Sequence, residues 1–460
     1  MKNKIAIYFS LLAMMFVAAS CSNDDAENIT SPYAYISSFS IGDIKSAYPA
    51  FTAAGKDTTI IRTISGSSFQ FTIDQSAGEI YNCDSMLFKT NVSKVVLNMT
   101  VEGVATIYNE TTGVYEYFTT ADSLDFTKPR SVRVTSTDGT YCKDYTISLN
   151  VHQVEPEMMV WNRVLNPISI VPQKAIEYKG QIYVYGTSYV EGKDGMVPVY
   201  QSANLTASAG WGGIEPLDLP KSTDFSTLHV YGDVLYVVAG GDLYSSNDAI
   251  NWSPVLQGKN LLAIIGASDV DGYLWVANAE SIFRSADGVS FDPVSVLPIG
   301  FPLYGLSTSS YALSHNKNII RYMVVGYTDK EKKTSPKVWS LLSNENQWVE
   351  YANVNNPYPC PSLAGITVLH YDNFLYAFGG EGTVGETAVE AFNSFYVSKD
   401  NGVVWKAPES FYQLLPKVLN GNDKLSYAAF VDSDNYMWII TDDEDAGVLR
   451  GKINRLGFKK

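Results

Sequence analysis

Residues 178–184, Tyr178-Lys179-Gly180-Gln181-Ile182-Tyr183-Val184, contain the pattern that decides the fold of this chain. A turn-forming pair stands between an apolar segment and a second segment with an aromatic residue in its middle, which is typical of a tight β-hairpin. The pattern returns five times further along the chain. The copies are Tyr231–Val237, Val270–Val276, a looser one at Ser314–Val324, Tyr371–Ala377 and Ser433–Ile439. Such self-similarity predicts a repeat architecture.

An aromatic residue follows each of the first five hairpins, where a fourth strand is expected. These residues are Trp211, Trp252, Phe291, Trp348 and Trp405. The sixth repeat lacks one, whereas Trp161 precedes the first hairpin and has no strands of its own. We therefore predict that the segment around Trp161 forms the outer strand of the last repeat, beside Val448–Ile453. This pairing closes a ring without open edges, a six-bladed β-propeller over residues 158–460.

Three repeats carry a serine–aspartate turn before this aromatic residue. Residues 398–405 read Ser-Lys-Asp-Asn-Gly-Val-Val-Trp, and shorter versions begin at Ser285 and Ser246. They resemble Asp-boxes, in which serine and aspartate hold the backbone of a hairpin. A chain with Asp-boxes and six blades resembles the sialidases. A sialidase needs three arginines to bind the carboxylate of its substrate. The repeat region holds only Arg163, Arg284, Arg321, Arg450 and Arg455. Only Arg321 could reach the centre, so sialidase activity is not expected.

Residues 32–152 have a different pattern. Short β-rich runs alternate apolar with polar residues, as in Ser68–Ile73, and roughly seven such runs predict an immunoglobulin-like β-sandwich. The stretch from Asp125 to Ile147 resembles cadherin-like domains of bacterial surface lipoproteins, and this resemblance implies a spacer. Pro156 marks a linker before the repeats. The whole chain is therefore expected to be all-β.

The N-terminus predicts export and lipidation. Residues 1–20 have a positive end, an apolar run and small residues, as in a signal peptide. Cys21 follows and resembles the acylated cysteine of bacterial lipoproteins, and residues 21–31 form an acidic tether. The whole chain resembles two-domain lipoproteins of gut Bacteroidota. This implies a lipid-anchored outer-membrane protein exposed on the cell surface, with the periplasmic face as the alternative. The resemblance supplies location and architecture only, because no activity is established for that family.

Charge excludes several partner classes. The chain carries 33 Lys and Arg against 48 Asp and Glu, a formal net charge of −15. A nucleic-acid binder needs a cationic surface, so no nucleic acid is expected. An acidic protein also gains nothing from anionic lipids. Contact with the membrane is therefore expected through the lipid anchor only.

Cysteine and histidine give no metal site. Cys83 and Cys142 lie in one domain and predict either a disulfide or two buried thiols, and Cys360 predicts a loop thiol. The four histidines are too scattered for a metal trio, and His229 and His370 occupy equivalent, structural places in two repeats. The acidic run 442–445 predicts a solvated hairpin tip, with calcium as the alternative. No other cofactor is expected.

Loop lengths suggest a binding face. In a propeller, the connections between strands two and three and those between blades share one face, and here they carry aromatic and acidic residues. The candidate ligand-binding residues are Tyr189, Glu191, Phe301, Tyr327, Tyr358, Glu381 and Asp443. Such residues suit a sugar, and almost as well a protein. We expect a non-catalytic surface protein that binds a glycan or protein. The alternative is a carbohydrate-active enzyme, a hydrolase or lyase, with carboxylates in the propeller centre.

Overall fold

The computed structural model describes residues 30–51, 57–205, 210–332, 334–351, 356–408 and 412–458. The predicted signal peptide, Cys21 and nearly all of the tether lie outside them. The described chain is built from strands, with short 3-10 turns at Gly66–Ser68, Lys417–Leu419 and Asn454–Gly457. No helix in this part of the chain has the length and apolar character of a membrane span. The protein divides into two compact units, Met1–Glu155 and Pro156–Lys460.

The N-terminal unit contains strands β1 to β12. They are β1 (Tyr35–Ile41), β2 (Ile44–Phe51), β3 (Asp57–Ile64), β4 (Phe71–Asp74), β5 (Glu79–Asn82), β6 (Thr90–Asn91), β7 (Val95–Glu102), β8 (Val104–Asn109), β9 (Val114–Tyr117), β10 (Ser123–Leu124), β11 (Arg130–Thr135) and β12 (Cys142–Ser148). Three sheets result, in the orders β4-β5-β12-β11-β8-β9, β1-β7-β10 and β3-β2-β6.

One core joins these sheets. Ile36 and Leu97 come from the sheet of β1 and β7, and Ile80, Val132 and Ile147 come from the six-stranded sheet. All five side chains are buried in the same cluster. Alternation along each strand places these apolar residues on one face and polar residues on the other. Sheets that share a core in this way form the predicted β-sandwich.

The predictions for Cys83 and Cys142 are wrong in both forms. The two thiols are free, and both residues are exposed. The reason is the parallel pairing of β5 with β12, in which Glu79 lies opposite Thr146. In this register Cys83 and Cys142 are offset by eight residues along neighbouring strands, a distance of about 26 Å, which no disulfide can span.

The second unit begins with β13 (Met159–Leu165) and continues through six blades. Blade one has β14 (Val171–Tyr178), β15 (Gln181–Tyr189), β16 (Met196–Asn204) and β17 (Glu215–Pro216). Blade two has β18 (Thr223–Tyr231), β19 (Val234–Ala239), β20 (Asp242–Ser246) and β21 (Ser253–Leu256). Blade three has β22 (Leu261–Ser268), β23 (Tyr273–Asn278), β24 (Ser281–Ser285) and β25 (Asp292–Val296). Blade four has β26 (Tyr304–Ala312), β27 (Ile320–Tyr327), β28 (Lys337–Leu342) and β29 (Val349–Glu350).

The last two blades complete the circle. Around blade five lie β30 (Ser362–Leu363), β31 (Thr367–Tyr371), β32 (Phe374–Phe378), β33 (Gly382–Val384), β34 (Thr387–Val389) and β35 (Tyr396–Ser398). Blade six has β36 (Tyr427–Val431), β37 (Met437–Thr441) and β38 (Val448–Ile453). The first strand of each blade contacts that of the next, and β36 of blade six contacts β14 of blade one.

Ring closure occurs as predicted. Strand β13 pairs antiparallel with β38, with Met159 opposite Ile453 and Trp161 opposite Gly451. Blade six therefore has the order β13-β38-β37-β36, with the N-terminal strand of the unit outermost. All six predicted hairpin turns connect the first and second strands of a blade. The pattern in the sequence therefore gives both the number of blades and the closure.

Blade five departs from the regular pattern. Its sheet has the order β31-β32-β35, and a fourth strand is reduced to the bridge between Val397 and Lys406. The long connection after β32 is not an open loop. Strands β33 and β34 form a hairpin within it, and β30 pairs with β33 to make a separate small sheet.

Tyrosine hydroxyls link neighbouring blades. The hydroxyl of Tyr178 in blade one lies 2.5 Å from the carbonyl oxygen of Asp233 and 3.0 Å from that of Asn247, both in blade two. The hydroxyl of Tyr231 in blade two similarly reaches Gly272 and Ala286 of blade three, at 2.9 and 2.7 Å. These contacts satisfy turn carbonyls of the neighbouring blade, and they explain part of the high tyrosine content.

The serine–aspartate turns are held by their own side chains. Ser398 Oγ donates to Asp400 Oδ1 at 2.7 Å, and the amide of Val404 donates to the same oxygen at 2.9 Å. Trp405 is fully buried and donates its indole N–H to the carbonyl of Gly402. Ser246 and Ser285 make the same serine–aspartate bond in their own turns. The motif therefore fixes hairpins at the periphery of the propeller.

Candidate functional site: the central cavity

A cavity of about 600 Å³ lies at the centre of the propeller. Its wall is built by the starts of first strands from five blades, with Lys174, Asp224, Thr308, Val368 and Ala428 as one residue from each. The connection after β27 adds further residues to the rim. Both contributions come from the face on which the sequence analysis placed the ligand. The volume falls within the usual range of small-molecule sites, about 300–1,000 Å³.

The strands that line the cavity are irregular there. Register shifts interrupt the pairing of β14 between Pro172 and Lys174, of β18 between Asp224 and His229, and of β26 between Tyr304 and Ser307. Bulges of this kind redirect side chains and are common beside functional sites. In this chain all three occur at the cavity wall. The irregularity therefore changes which side chains the wall presents.

The bulge in β18 is stabilised by local hydrogen bonds. The amide of Ser226 donates to Asp224 Oδ1 at 3.0 Å, and Thr227 Oγ1 donates to the carbonyl of Asp224 at 2.7 Å. The same hydroxyl accepts from the amide of Val238 at 3.0 Å. Side chains thus replace the strand pairing that the bulge loses. Asp224 itself lines the cavity.

His229 links the first strands of blades two and four. Its Nδ1 lies 2.8 Å from the carbonyl oxygen of Thr227, and its Nε2 lies 2.6 Å from Thr308 Oγ1. A carbonyl only accepts, so Nδ1 carries the proton and Nε2 accepts from the Thr308 hydroxyl. Burial and the positive charge of Lys174 lower the pKa of His229 to about 4. The ring is therefore neutral at pH 7 and has a structural role, as the sequence predicted.

His370 is the second half-buried histidine of the ring. It stacks on Tyr311 with ring centroids 3.9 Å apart and planes inclined by 7°. Burial, together with the charge of Lys317, lowers the pKa of His370 to about 4. Its neighbour Tyr311 donates its hydroxyl to Asn401 Oδ1 at 3.1 Å.

These two histidines predict a loss of stability in mild acid. Each has a folded-state pKa below its unfolded value of about 6.5, so the unfolded chain binds more protons as the pH falls. Their contribution is complete above about pH 6.5 and is lost as the pH falls to about 4. By pH 5 we expect a loss of about 1–2 kcal/mol per histidine. Urea titrations of the propeller between pH 7 and pH 5 measure it.

Variants separate this effect from general acid sensitivity. His370→Phe keeps the stacking and His229→Gln keeps a hydrogen-bonding side chain, so the double variant should show a flatter pH dependence than the parent. His315→Gln, at an exposed loop position, is the control and should behave as the parent does. A double variant with the parental pH dependence would contradict the assignment.

Three lysines face the cavity. Lys174 comes from β14, and Lys330 and Lys332 come from the connection after β27. Burial lowers the pKa of Lys174, and the nearby charge of Asp224 acts in the opposite direction. Asp224 and Asp423 are the acidic residues of the wall. The wall therefore carries more positive than negative groups.

One of the predicted ligand-binding residues lies in the wall. Tyr327 lines the cavity, although it is largely buried and donates its hydroxyl to the carbonyl of Leu363 at 3.2 Å. Glu381 is exposed and directly follows Gly380, a wall residue. Asp443 accepts from the side chain of Asn422 at 3.1 Å and from the amides of Asp445 and Ala446. The structure therefore gives Asp443 a turn-holding role.

The remaining four lie away from the cavity wall. Tyr189 and Glu191 are exposed at the connection after β15. Phe301 is buried in a blade core, with its ring centroid 5.2 Å from those of Trp339 and Trp348, so its faces are covered. Tyr358 lies on blade five, with the Lys406 ammonium 4.4 Å from its ring centroid. A ligand-binding role for this set stays a prediction.

Two further residues have structural explanations. Arg321 lies on the second strand of blade four and donates to Ser340 Oγ at 3.1 Å and to Tyr351 Oη at 2.6 Å. It is thus used within its own blade. Cys360 lies outside the strands, as predicted, but is buried, and burial raises the pKa of its thiol. Among the described residues, no group of three or more His, Cys, Asp and Glu side chains is arranged to hold a metal ion.

Lys174, Asp224 and Lys332 were missed by the sequence reasoning, which looked for aromatic and acidic residues in loops. Lys174 and Asp224 lie on first strands, where alternation alone does not say which residues face the centre. A signal did exist for Asp224, because Asp224-Phe225-Ser226-Thr227 is a turn-forming sequence inside a strand.

The closed ring and its cavity define the protein as a β-propeller protein with a preceding β-sandwich unit. The chain belongs to the DUF6242 family. The sequence model of the DUF6242 β-propeller domain matches residues 155–460, and that of the N-terminal domain, described as a domain of unknown function, matches residues 39–149. A comparison with curated proteins gives no match.

Solved structures resemble the propeller only in outline. A calcium structure of a Trichoderma reesei carbohydrate-active enzyme of family AA12 has a TM-score of 0.37 at 10% identity, over 64% of this chain and 95% of that one. A Penicillium chrysogenum α-L-arabinanase complexed with arabinobiose has a TM-score of 0.37 at 12% identity, over 64% and 98%. A Coprinopsis cinerea GH62 α-L-arabinofuranosidase has a TM-score of 0.33 at 13% identity, over 65% and 98%. Likeness at this level gives no information on the ligand of this protein.

Proposed function

We propose that this protein is a non-catalytic binding protein that takes a glycan into the central cavity of its propeller. The observation that carries the proposal is the cavity itself, about 600 Å³ lined by strand starts from five blades. This volume suits one or a few sugar rings. A protein ligand, which the sequence left open, needs a broad docking surface, and a cavity of this size supports the glycan over it.

The wall offers the groups that a sugar requires. Tyr304 supplies an aromatic ring for stacking, and Ser226, Ser426 and Gln173 supply polar side chains for hydroxyl groups. Bulges in the lining strands support a binding role, because such irregularities are kept where a side chain must be aimed. The sandwich unit then serves as a spacer between propeller and anchor.

A glycan array tests this proposal. The soluble chain from Ser22 onward is applied to the array, and any hit is measured by calorimetry. A substitution that fills the cavity, Thr308→Trp, should abolish the binding. Val289→Trp, at an exposed turn of blade three, is the control and should bind as the parent does. Retained binding in Thr308→Trp, with parental Tm, would place the ligand elsewhere.

The alternative of a carbohydrate-active enzyme has one supporting observation. Asp224 and Asp423 are two carboxylates in the wall of the same cavity, and glycosidases use such pairs. We therefore propose the enzyme as the second candidate. Release of reducing ends from array hits decides between them, because turnover that Asp224→Asn abolishes would establish the enzyme.

The proposal also includes attachment to the outer membrane. Acylation of Cys21 would hold the protein there, with the acidic tether carrying it to the cell surface and the periplasmic face as the alternative orientation. Two or more acyl chains are needed for stable anchoring. The lipidation site lies outside the described residues, so the sequence pattern is its support.

Cys21→Ser is expected to release the protein from the membrane. The variant cannot be acylated, so we expect loss of labelling by radioactive palmitate and a shift from the membrane fraction to the soluble fraction. Cys83→Ser, which changes an exposed thiol in the sandwich, is the matched control and should leave both unchanged. Retained labelling in Cys21→Ser would contradict the proposed anchor. Protease digestion of intact cells then distinguishes the two orientations.

Two finer assignments accompany the proposal. The serine–aspartate turns are proposed as Asp-boxes with a purely structural role. Calcium at the acidic turn enters as a separate expectation, to be checked by the Tm with and without CaCl2. Asp443 already accepts hydrogen bonds on both carboxylate oxygens, so we expect little change.

A further inference from the structure

We propose that the central cavity selects an anionic sugar, one that carries a carboxylate or a sulfate group, and that Lys174, Lys330 and Lys332 recognise the negative group. This inference rests on the proposed function, because it names the class of glycan for the same cavity. Its first support is the reversal of charge. The whole chain has a formal net charge of −15, whereas the cavity wall has three lysines against two aspartates.

The second support is the lack of protein partners for these lysines. Among the described residues, the ammonium groups of Lys174, Lys330 and Lys332 make no ion pair within 4.0 Å. Lys337 in the same blade differs, because its ammonium lies 2.8 Å from Glu350 Oε1. A cavity lysine whose ammonium forms no ion pair within the protein can pair with an anion of the ligand.

Lys174 is the deepest of the three. It follows the bulge at Gln173 on the first strand of blade one, where the register shift re-aims its side chain. The surrounding protein disfavours the charged ammonium, and Asp224 compensates in part. A bound anion would stabilise the ammonium further, and the lysine in return would favour an acidic over a neutral sugar.

Lys332 is positioned by a glycine. A Cβ atom on Gly305 would lie 2.7 Å from Lys332 Cε and 3.0 Å from its Nζ, so the lysine chain lies directly against the glycine. Gly305 also has φ of +54°, which other residues rarely adopt. The close approach brings the ammonium to the cavity wall. A side chain at Gly305 would displace it.

Oligogalacturonides and the same oligosaccharides after carboxyl reduction are the matched probes, and a sulfated oligosaccharide of similar length is the third arm. Calorimetry on the full soluble chain should give at least about tenfold tighter binding to the acidic probe than to its reduced form. Binding of the acidic probe should also weaken as salt is raised. Comparison of the carboxylate and sulfate arms identifies which group is preferred.

Lysine variants locate the recognition. Lys174→Met and Lys332→Met should each lower the ratio of acidic to neutral binding by about tenfold. Gly305→Ala should reduce it in the same direction through displacement of Lys332. Lys128→Met removes the same charge from an exposed position of the sandwich unit and serves as the control. Tm values confirm that each variant is folded.

The outcomes separate the two proposals. Equal binding of the acidic and reduced probes would overturn the anionic selectivity and leave the glycan proposal in place. Selectivity that survives in Lys174→Met and Lys332→Met together would overturn the role of these lysines. If no probe binds and the wider array is also empty, the proposed function itself fails.

Discussion

Gly451→Val is expected to destabilise the propeller by about 3 kcal/mol, because the valine side chain would collide with the indole ring of Trp161 in the closing strand β13. A Cβ atom at Gly451 would lie 2.5 Å from Trp161 Cδ2, and the indole ring therefore lies flat on the glycine. Trp161 also donates its indole N–H to the carbonyl of Leu414 at 2.9 Å. A valine side chain cannot be accommodated without moving the ring, and moving the ring disturbs the pairing of β13 with β38.

A compensating substitution makes this prediction specific. In the Gly451→Val background, Trp161→Ala removes the ring that causes the collision, so the double variant should recover about half of the lost stability. In the parent background, Trp161→Ala should destabilise, because the indole contacts and its hydrogen bond are lost. Urea unfolding of the propeller measures all four chains. Additive losses, without recovery in the double variant, would show that Trp161 and Gly451 do not meet.

Arg455→Met is expected to cost about 3 kcal/mol, because it leaves a buried carboxylate without its counter-charge. The guanidinium of Arg455 forms a two-pronged pair with Asp372, in which NH1 lies 2.8 Å from Oδ1 and NH2 bonds Oδ2. Its Nε donates to Glu157 Oε1 at 2.6 Å. The Asp372 side chain is only 4% exposed. The pair thus joins the chain after β38 to the turn of blade five and to the segment before β13.

Neutralising Asp372 tests whether its unpaired charge causes the loss of stability. Arg455→Met with Asp372→Asn removes the unpaired charge, so we expect the double variant to be more stable than Arg455→Met alone. Arg133 and Asp144 in the sandwich unit form a similar two-pronged pair, but their side chains are 38% and 51% exposed. Arg133→Met should therefore cost less than about 1 kcal/mol in the unfolding of that unit. Equal losses for the two arginines would show that burial does not decide the effect.

The sequence was sufficient for the fold because each blade repeats the same local chemistry. The missing aromatic residue of the last repeat and the surplus Trp161 together indicated the closure, which needs no knowledge of distances. Blade five was less predictable. Its connection between Gly379 and Phe392 contains short polar and apolar stretches that fold into the β33–β34 hairpin, and hairpins of three residues per strand carry little alternation.

The cysteines and the site were harder because they depend on register. Nothing local to Cys83 or Cys142 indicates that β5 and β12 run parallel, and only that pairing separates the two thiols. Phe301 illustrates the same limit, because an aromatic residue in a connecting segment can face either solvent or the core. The orientation of Lys174 depends on a bulge of one residue. Such a bulge moves a side chain to the other face of the strand, and the hydrophobic pattern of the sequence does not show it.

The pairing of residue 159 with residue 453 has a consequence for biogenesis. The ring of blades cannot be completed until the last hairpin of the propeller has been synthesised. Until then, the waiting N-terminal segment and the unfinished final sheet both present unsatisfied hydrogen-bonding borders to other chains. A copy stopped early by a nonsense codon would keep those borders permanently. Such a product should aggregate or be degraded, rather than persist as a shortened but working protein.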